Sequence, residues 1–239
     1  FGHETCRKIA EAHLCQAPLD LTVKNDAIDW TKKLSGELLK TGSIRLSKYG
    51  DVETLFGYEE GAWWVQDAAA ALPVKLLGDI KGLRIADLCA APGGKTAQLA
   101  VGGAEVIAID RSANRLNRLK QNLDRLSLTV ETVVADAISW RPKYLLDAVL
   151  IDAPCTATGT IRRHPDIQYL KNPGHVTSGL VVQKALLEAA SEMVKPGGIV
   201  LYATCSLQPE EGPGIIEAFI GSGAAVSRHP MCASELAGM

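Results

Sequence analysis

The chain has 239 residues, 47% of them hydrophobic and 22% charged, with 25 lysines and arginines against 27 acidic residues for a net charge of −2. This composition excludes a disordered or fibrous chain and allows one sizeable core with room for a small second domain. The near balance of charge excludes a uniformly basic nucleic-acid binder, leaving Arg111, Arg115, Arg118, Lys120 and Arg125, or Arg162, Arg163 and His164, as candidate phosphate contacts.

No apolar run approaches the roughly 20 residues of a membrane span, and the N-terminus lacks the basic and apolar regions of a secretory signal, so a soluble cytoplasmic protein is expected. The six cysteines (Cys6, Cys15, Cys89, Cys155, Cys205 and Cys232) form no C-x-x-C pair. That predicts free thiols in a reducing compartment, with no zinc site and no disulfide framework. The first residue is Phe1, which reads as the start of a piece of a longer protein. No coiled-coil or extended apolar seam is present, so a monomer is expected.

In chain order, residues 1–57 predict a small α+β module: a helix near 4–16, a strand in LDLTV, a helix over about 26–39, and strands around 44–46 and 52–56. The segment EEGAWWVQDAAAAL (59–72) leads out of it, giving an expected division into a module of residues 1–75 and a larger domain of 76–239. From there, aliphatic runs at 83–88, 105–109, 130–134, 148–151 and 199–203 alternate with amphipathic stretches. This is the pattern of a parallel sheet wrapped by helices. SANRLNRLKQNLDRL predicts a crossover helix with Ser112 as N-cap and Leu116, Leu119, Leu123 and Leu126 on one face. A second helix over roughly 180–194 is expected to stop at Pro196-Gly197-Gly198.

In such sheets the ligand sits beyond the carboxyl ends of the strands, where strand order reverses. The first of these ends reads DLCAAPGGKT (87–96), which finishes like a phosphate loop but has Cys89 where that loop needs glycine. It also lacks the G-x-G-x-x-G of a dinucleotide site. Asp110 stands at the second strand end, where a carboxylate commonly holds a ribose diol. Asp87, Asp110, Asp136 and Asp152 together would repel a triphosphate and suit a sulfonium and a protonated amine, as in S-adenosylmethionine. Each aspartate is equally accounted for, taken alone, by helix capping.

Two further strand ends carry Cys155 and Cys205. A thiolate adding to carbon 6 of a pyrimidine makes carbon 5 nucleophilic enough to take a methyl group, so cysteines beside a methyl donor point to that chemistry. Buried cysteines more often merely pack. The chemistry by itself leaves open which of the two attacks.

The stretches DLCAAPGGKTAQLA, VIAIDRSANRL, VVADA, DAVLIDAPCTATGTIRRHPDI and GGIVLYATCSLQPEEG, with EEGAWWVQDAAAAL before them, are similar in content and order to the RNA 5-methylcytosine methyltransferases of the NOL1/NOP2/Sun group. The resemblance is to the bacterial ribosomal-RNA branch called Sun or Fmu and covers roughly residues 5–220. It implies an α/β, Rossmann-like class I S-adenosylmethionine-dependent methyltransferase domain of mostly parallel sheet with helices on both faces. It also implies an RNA substrate, ribosomal in the first place, and no metal. Transfer RNA, or an inactive RNA-binding relative, are the alternatives.

By the same resemblance, Cys205 is the nucleophile, Cys155 aids product release and Asp152 hydrogen-bonds ring nitrogen 3 of the base. The implied cofactor set is Cys89, Ala90, Ala91, Pro92, Gly93, Gly94, Lys95, Asp110 at the ribose, Arg115, Asp136 near the adenine, and Asp152. Three departures stand out: PCTATG replaces Pro-Cys-Ser-Gly-Thr-Gly, no N-terminal helical domain resembling the antitermination factor NusB is present, and no aromatic-rich closing strand follows Ser227. The last two are expected to reflect truncation or disorder.

Overall fold

The computed structural model describes residues 2–229, so Cys232 lies outside the described residues. The N-terminal part comprises α1 (His3–His13), β1 (Leu19–Val23), α2 (Ala27–Lys33), β2 (Glu37–Leu38), β3 (Ile44–Leu46) and β4 (Trp63–Val65). Its strands form an antiparallel sheet ordered β2-β3-β1-β4 around Leu19, Leu21, Ile44, Leu46 and Trp63.

Two expected elements differ here. The helix foreseen over 26–39 ends at Lys33, because Ser35 takes a φ of 51° and turns the chain into β2. The strand foreseen at 52–56 is a single 3₁₀ turn, Val52–Thr54, closed by the Asp51 side chain accepting from the Glu53 N–H at 3.2 Å. The sheet instead takes its fourth strand from the segment read as a connector. There Trp63 is fully buried, and its indole N–H donates to the Phe56 carbonyl at 3.0 Å.

After α3 (Leu72–Lys75) come β5 (Arg84–Leu88), α4 (Gly94–Val101), β6 (Glu105–Asp110), α5 (Ala113–Arg125), β7 (Glu131–Val134) and β8 (Leu146–Asp152). They are followed by a 3₁₀ turn (Thr158–Thr160), α6 (Ile167–Leu170), α7 (Pro173–Met193), β9 (Val194–Ala203), a 3₁₀ turn (Pro209–Glu211) and α8 (Pro213–Gly221). Every pairing in the sheet β7-β6-β5-β8-β9 is parallel.

The period of two along each strand splits the core. Ala86, Leu88, Val149 and Ile151 pack with α7 and α8 on one face, while Ile85, Ala148 and Leu150 pack with α3 and α4 on the other. The leucines foreseen on one face of α5 are buried at Leu116, Leu119, Leu123 and Leu126, and Ser112 caps that helix by accepting from the Arg115 N–H. Helix α7 begins at Pro173, not near residue 180, behind an Asn172–His175 capping box. Pro196-Gly197-Gly198 does not precede β9 but lies within it, as an irregularity where the partner of Leu146 is Val194 and that of Ala148 is Ile199.

The module packs onto the parallel-sheet part through the C-terminal end of α5. Arg125 donates to the carbonyls of Tyr58 (2.6 Å) and Trp63 (3.1 Å), and Lys24 donates to that of Leu126. A Cβ at Gly61 would lie 2.0 Å from the Arg125 carbonyl oxygen, so the approach requires glycine there. Among the described residues no helix is long and apolar enough to cross a membrane.

Candidate active site

Strand order reverses beside β5, which pairs with β6 on one side and β8 on the other. A ligand site is expected beyond the carboxyl ends of these strands. The chain leaves β5 through Cys89, at φ 63°, and enters α4 at Gly93, at φ 106°. A Cβ on Gly93 would meet Leu119 Cγ at 2.9 Å, so this turn needs glycine for both its backbone and its packing. A Cβ on Gly94, by contrast, would make only ordinary contact with Gln66, at 3.8 Å.

Lys95 does not stand free as a phosphate-loop lysine would. Its Nζ pairs with Asp152 Oδ2 at 2.8 Å, joining the α4 turn to the end of β8. Behind it, Thr96 donates to Asp87 Oδ2 at 2.6 Å. Asp87 is fully buried, and burial pushes its carboxyl up to about 7 despite that hydrogen bond, with Asp152 and Asp110 raising it further. Its other oxygen, Oδ1, has no hydrogen-bond partner. An orphaned buried carboxylate oxygen among three acids, with the neighbouring lysine already paired, fits a cationic group better than a phosphate.

Asp110 is buried at the end of β6 and accepts from the N–H groups of Ser112 (2.9 Å) and Ala91 (3.3 Å). Arg115 pairs with it at 3.2 Å and donates to the Ala91 carbonyl, tying the glycine turn to the second strand. Burial, then Asp110, Asp87 and Asp152, push the Cys89 thiol up to about 12, away from the range of a thiolate nucleophile. Asp136 is exposed and accepts from the Ile138 N–H at 2.9 Å, closing its own turn.

The two cysteines at strand ends do meet. Cys155 Sγ and Cys205 Sγ lie 3.4 Å apart, beyond the ends of the neighbouring strands β8 and β9. At that distance one thiolate accepts a hydrogen bond from the other thiol, so the first proton leaves easily and the second is held. The hydrogen bond from Cys205 is the chief reason Cys155 sits near 6, with Thr204 and the backbone N–H groups of Ala157 and Cys205 adding to it against burial. Cys205 is pushed up by the same hydrogen bond, by burial and by the Cys155 charge.

One residue central to this geometry received no role from the sequence reading. Glu211, 0% exposed, accepts from the Thr156 N–H at 3.0 Å, from the Thr156 hydroxyl and from Gln183 Nε2 at 3.0 Å. Gln183 also donates to the Pro154 carbonyl at 2.9 Å, so the residues on both sides of Cys155 hang from one buried carboxylate and one amide. Burial opposes the Glu211 charge, but hydrogen bonds from Ser206, Thr156 and Gln183 outweigh it and hold the carboxyl below its usual range. The only signal in the sequence was an acid in the Gln208-Pro209-Glu210-Glu211 run, indistinguishable from a solvated turn.

The arginines read as phosphate contacts are largely committed inside the protein: Arg115 and Arg125 as above, and Arg162 and Arg163 to the N-terminal module. A cleft of about 520 Å³ is lined among others by Thr156, Gln168, Asn172 and Gln208. Among the described residues no cluster of histidine, cysteine and acidic side chains could hold a metal ion.

A five-stranded parallel sheet reversing at β5, a glycine turn into α4 and acids at successive strand ends define a Rossmann-like class I S-adenosylmethionine-dependent methyltransferase fold. Within that class the chain belongs to the family described as 16S rRNA methyltransferase RsmB/F, whose model matches residues 75–239. It is 38% identical over 234 residues to ribosomal RNA small subunit methyltransferase B of Vibrio vulnificus (strain YJ016), covering 91% of this chain and 54% of that protein.

Among solved structures, a methyltransferase homolog protein from Pyrococcus horikoshii superposes with a TM-score of 0.77 at 29% identity, over 91% of this chain and 74% of that one. NSun6 from Pyrococcus horikoshii with SFG gives a TM-score of 0.68 at 30% identity, over 77% of this chain and 48% of that one. The chain spans about half the length of the curated relatives it matches.

Proposed function

We propose that this chain carries the catalytic part of an enzyme that transfers a methyl group from S-adenosylmethionine to carbon 5 of a cytosine in RNA, most readily ribosomal RNA. The observation that carries the reading is the pair of thiols 3.4 Å apart beside the Lys95–Asp152 ion pair. The relatives named as ribosomal RNA small subunit methyltransferases support the substrate class.

In this reading the turn from Cys89 to Lys95 and Asp110, with Arg115 holding them, cradles the donor, and Asp136 faces its adenine. Asp87 offers its unpartnered oxygen to the cationic end. The bound donor supplies an electrophilic methyl group. Cys155, charged at rest, takes the proton of Cys205, and the Cys205 thiolate adds to carbon 6 of a cytosine turned out of its stack. The ring electrons move toward carbon 5, which bonds to the methyl. Asp152, after taking a proton from solvent, donates it to ring nitrogen 3 and stabilises the electron-rich adduct, with Lys95 adding positive charge beside it. Cys155 is recharged when its proton passes to solvent. It then removes the carbon 5 proton, carbon 5 and carbon 6 regain their double bond, and the Cys205 thiolate leaves. Residues 1–75 serve as an RNA-contacting module beside the catalytic domain of residues 76–239.

One observation favours a second reading: Cys155 is the thiol that ionises first, so it could attack with Cys205 as its partner. The two are separated by mixing RNA and S-adenosylmethionine with Cys155→Ala and with Cys205→Ala and looking for a denaturant-resistant protein–RNA adduct. Accumulation only in Cys155→Ala assigns the attack to Cys205. Accumulation only in Cys205→Ala reverses the roles, and no adduct from either, in protein shown to bind the donor, removes the covalent route. Transfer RNA as methyl acceptor in place of ribosomal RNA would move the substrate to the alternative class.

A further inference from the structure

The segment that follows Cys155 is strapped to the N-terminal module. Arg162 donates from Nε to the Cys15 carbonyl (3.3 Å) and from a terminal nitrogen to that of Gln16 (3.0 Å). Arg163 donates to the Pro18 carbonyl (2.8 Å) and pairs with Asp67 (3.1 Å). Asp67 also accepts from the Ala69 N–H at 2.9 Å. Asp20, buried in β1, accepts from the Ala68 N–H at 3.0 Å and, through both oxygens, from Arg45 at 2.7 Å.

At the other end of the strap the contacts lead to the sulfurs. Thr160 donates through its N–H (2.9 Å) and its hydroxyl (2.8 Å) to the Ala157 carbonyl, and the Arg163 N–H donates to the Thr160 carbonyl at 2.9 Å. The turn is therefore closed on itself between Cys155 and the arginines. Its Gly159 N–H donates to the Cys205 carbonyl at 2.9 Å, and a Cβ there would lie 2.6 Å from that oxygen. The arginine-bearing turn thus follows one thiol in the chain and rests on the backbone of the other.

We propose that Arg162 and Arg163 are positioning residues that couple the N-terminal module to the Cys155–Cys205 pair, so that the seating of the module sets how the two sulfurs face each other. Although both arginines remain exposed, their planar forks are turned onto three carbonyls and a carboxylate of loops in the N-terminal part. The inference rests on the two thiols being the reactive pair of the preceding section. The groups that stabilise the Cys155 thiolate include Cys205 itself and the Ala157 N–H, both held by this turn. Loosening the strap moves them apart.

The test uses the whole chain without RNA or methyl donor, so its failure and the failure of the methyl-transfer reading are separable. Alkylation of Cys155 by iodoacetamide is followed against pH by peptide mapping, with exposed Cys6 as internal reference, in roughly 1 M salt to screen direct charge effects. Arg163→Ala is expected to raise the midpoint by about one pH unit, slowing Cys155 alkylation close to tenfold at about pH 5 and below and only about twofold at neutrality. Arg163→Lys, which keeps the charge and loses the fork, should shift it part of the way. Unchanged profiles in folded variants would overturn the coupling. If the alanine variant does not fold, the lysine variant decides alone.

Discussion

The sulfurs of Cys155 and Cys205 stand 3.4 Å apart although fifty residues separate them in the chain. The parallel pairing of β8 with β9 sets this distance by ending both strands at the same level, Asp152 opposite Ala203.

The thiolate of Cys155 depends on its neighbour. The leading cause of its fall to about 6 is the hydrogen bond from Cys205, so Cys205→Ala should move the alkylation midpoint of Cys155 up toward the ordinary thiol range. In the unsubstituted protein Cys155 should alkylate well below pH 8. A midpoint that stays put in the variant would mean that Thr204 and the backbone N–H groups suffice.

Asp87 should make stability fall with rising pH. Its folded value, about 7, lies above the roughly 4 of an unfolded aspartate. The stabilisation from keeping it neutral is therefore complete below about pH 4 and is lost as pH rises through 7. Asp87→Asn should melt higher than the parent at pH 8 and show little advantage at pH 4, while losing most of the melting shift that S-adenosylmethionine produces in the parent. Equal donor-induced shifts in parent and variant would exclude Asp87 from the cationic end of the site.

Removing the Glu211 carboxylate should undo the Cys155 loop. Glu211→Ala leaves the Thr156 N–H, its hydroxyl and one Gln183 donor without their acceptor in a buried place, at about 2–4 kcal/mol. Chemical denaturation reads the loss, and the variant should also alkylate Cys155 with an upward-shifted pH midpoint. A variant as stable as the parent would show that the loop finds other acceptors.

Gly93→Ala combines a left-handed backbone with a Cβ 2.9 Å from Leu119 Cγ. The expected cost is about 1–3 kcal/mol. Because the displaced turn is the proposed donor cradle, titration with S-adenosylhomocysteine should show weaker binding even where the variant stays folded; Gly94→Ala, whose Cβ meets Gln66 at an ordinary 3.8 Å, should be nearly neutral for stability.

Much of the larger domain was legible in the sequence. All five of its strands, the α5 leucine face and the Ser112 cap were foreseen, because period-two and period-3.6 patterns are local and each face of the sheet is buried. The N-terminal module was less legible. The 52–56 run has strand-like residues but closes on the Asp51 side chain, and Trp63–Val65 is a strand only because β1 lies beside it. The start of α7 was missed because Asn172 and His175 cap each other, a pairing of side chains that hydrophobic periodicity does not report.

By itself the sequence determined the alternation of strands and helices, the glycine turn and which acids and thiols stand at strand ends, since each of these is written in neighbouring residues. Only the tertiary structure decided that Lys95 faces Asp152, that Cys155 faces Cys205, that Glu211 carries the loop between them, and that Arg125, Arg162 and Arg163 bind the module's carbonyls. Those contacts join residues that are far apart along the chain, and side-chain charge alone does not tell whether a cation meets solvent, a phosphate or a backbone oxygen brought to it by folding.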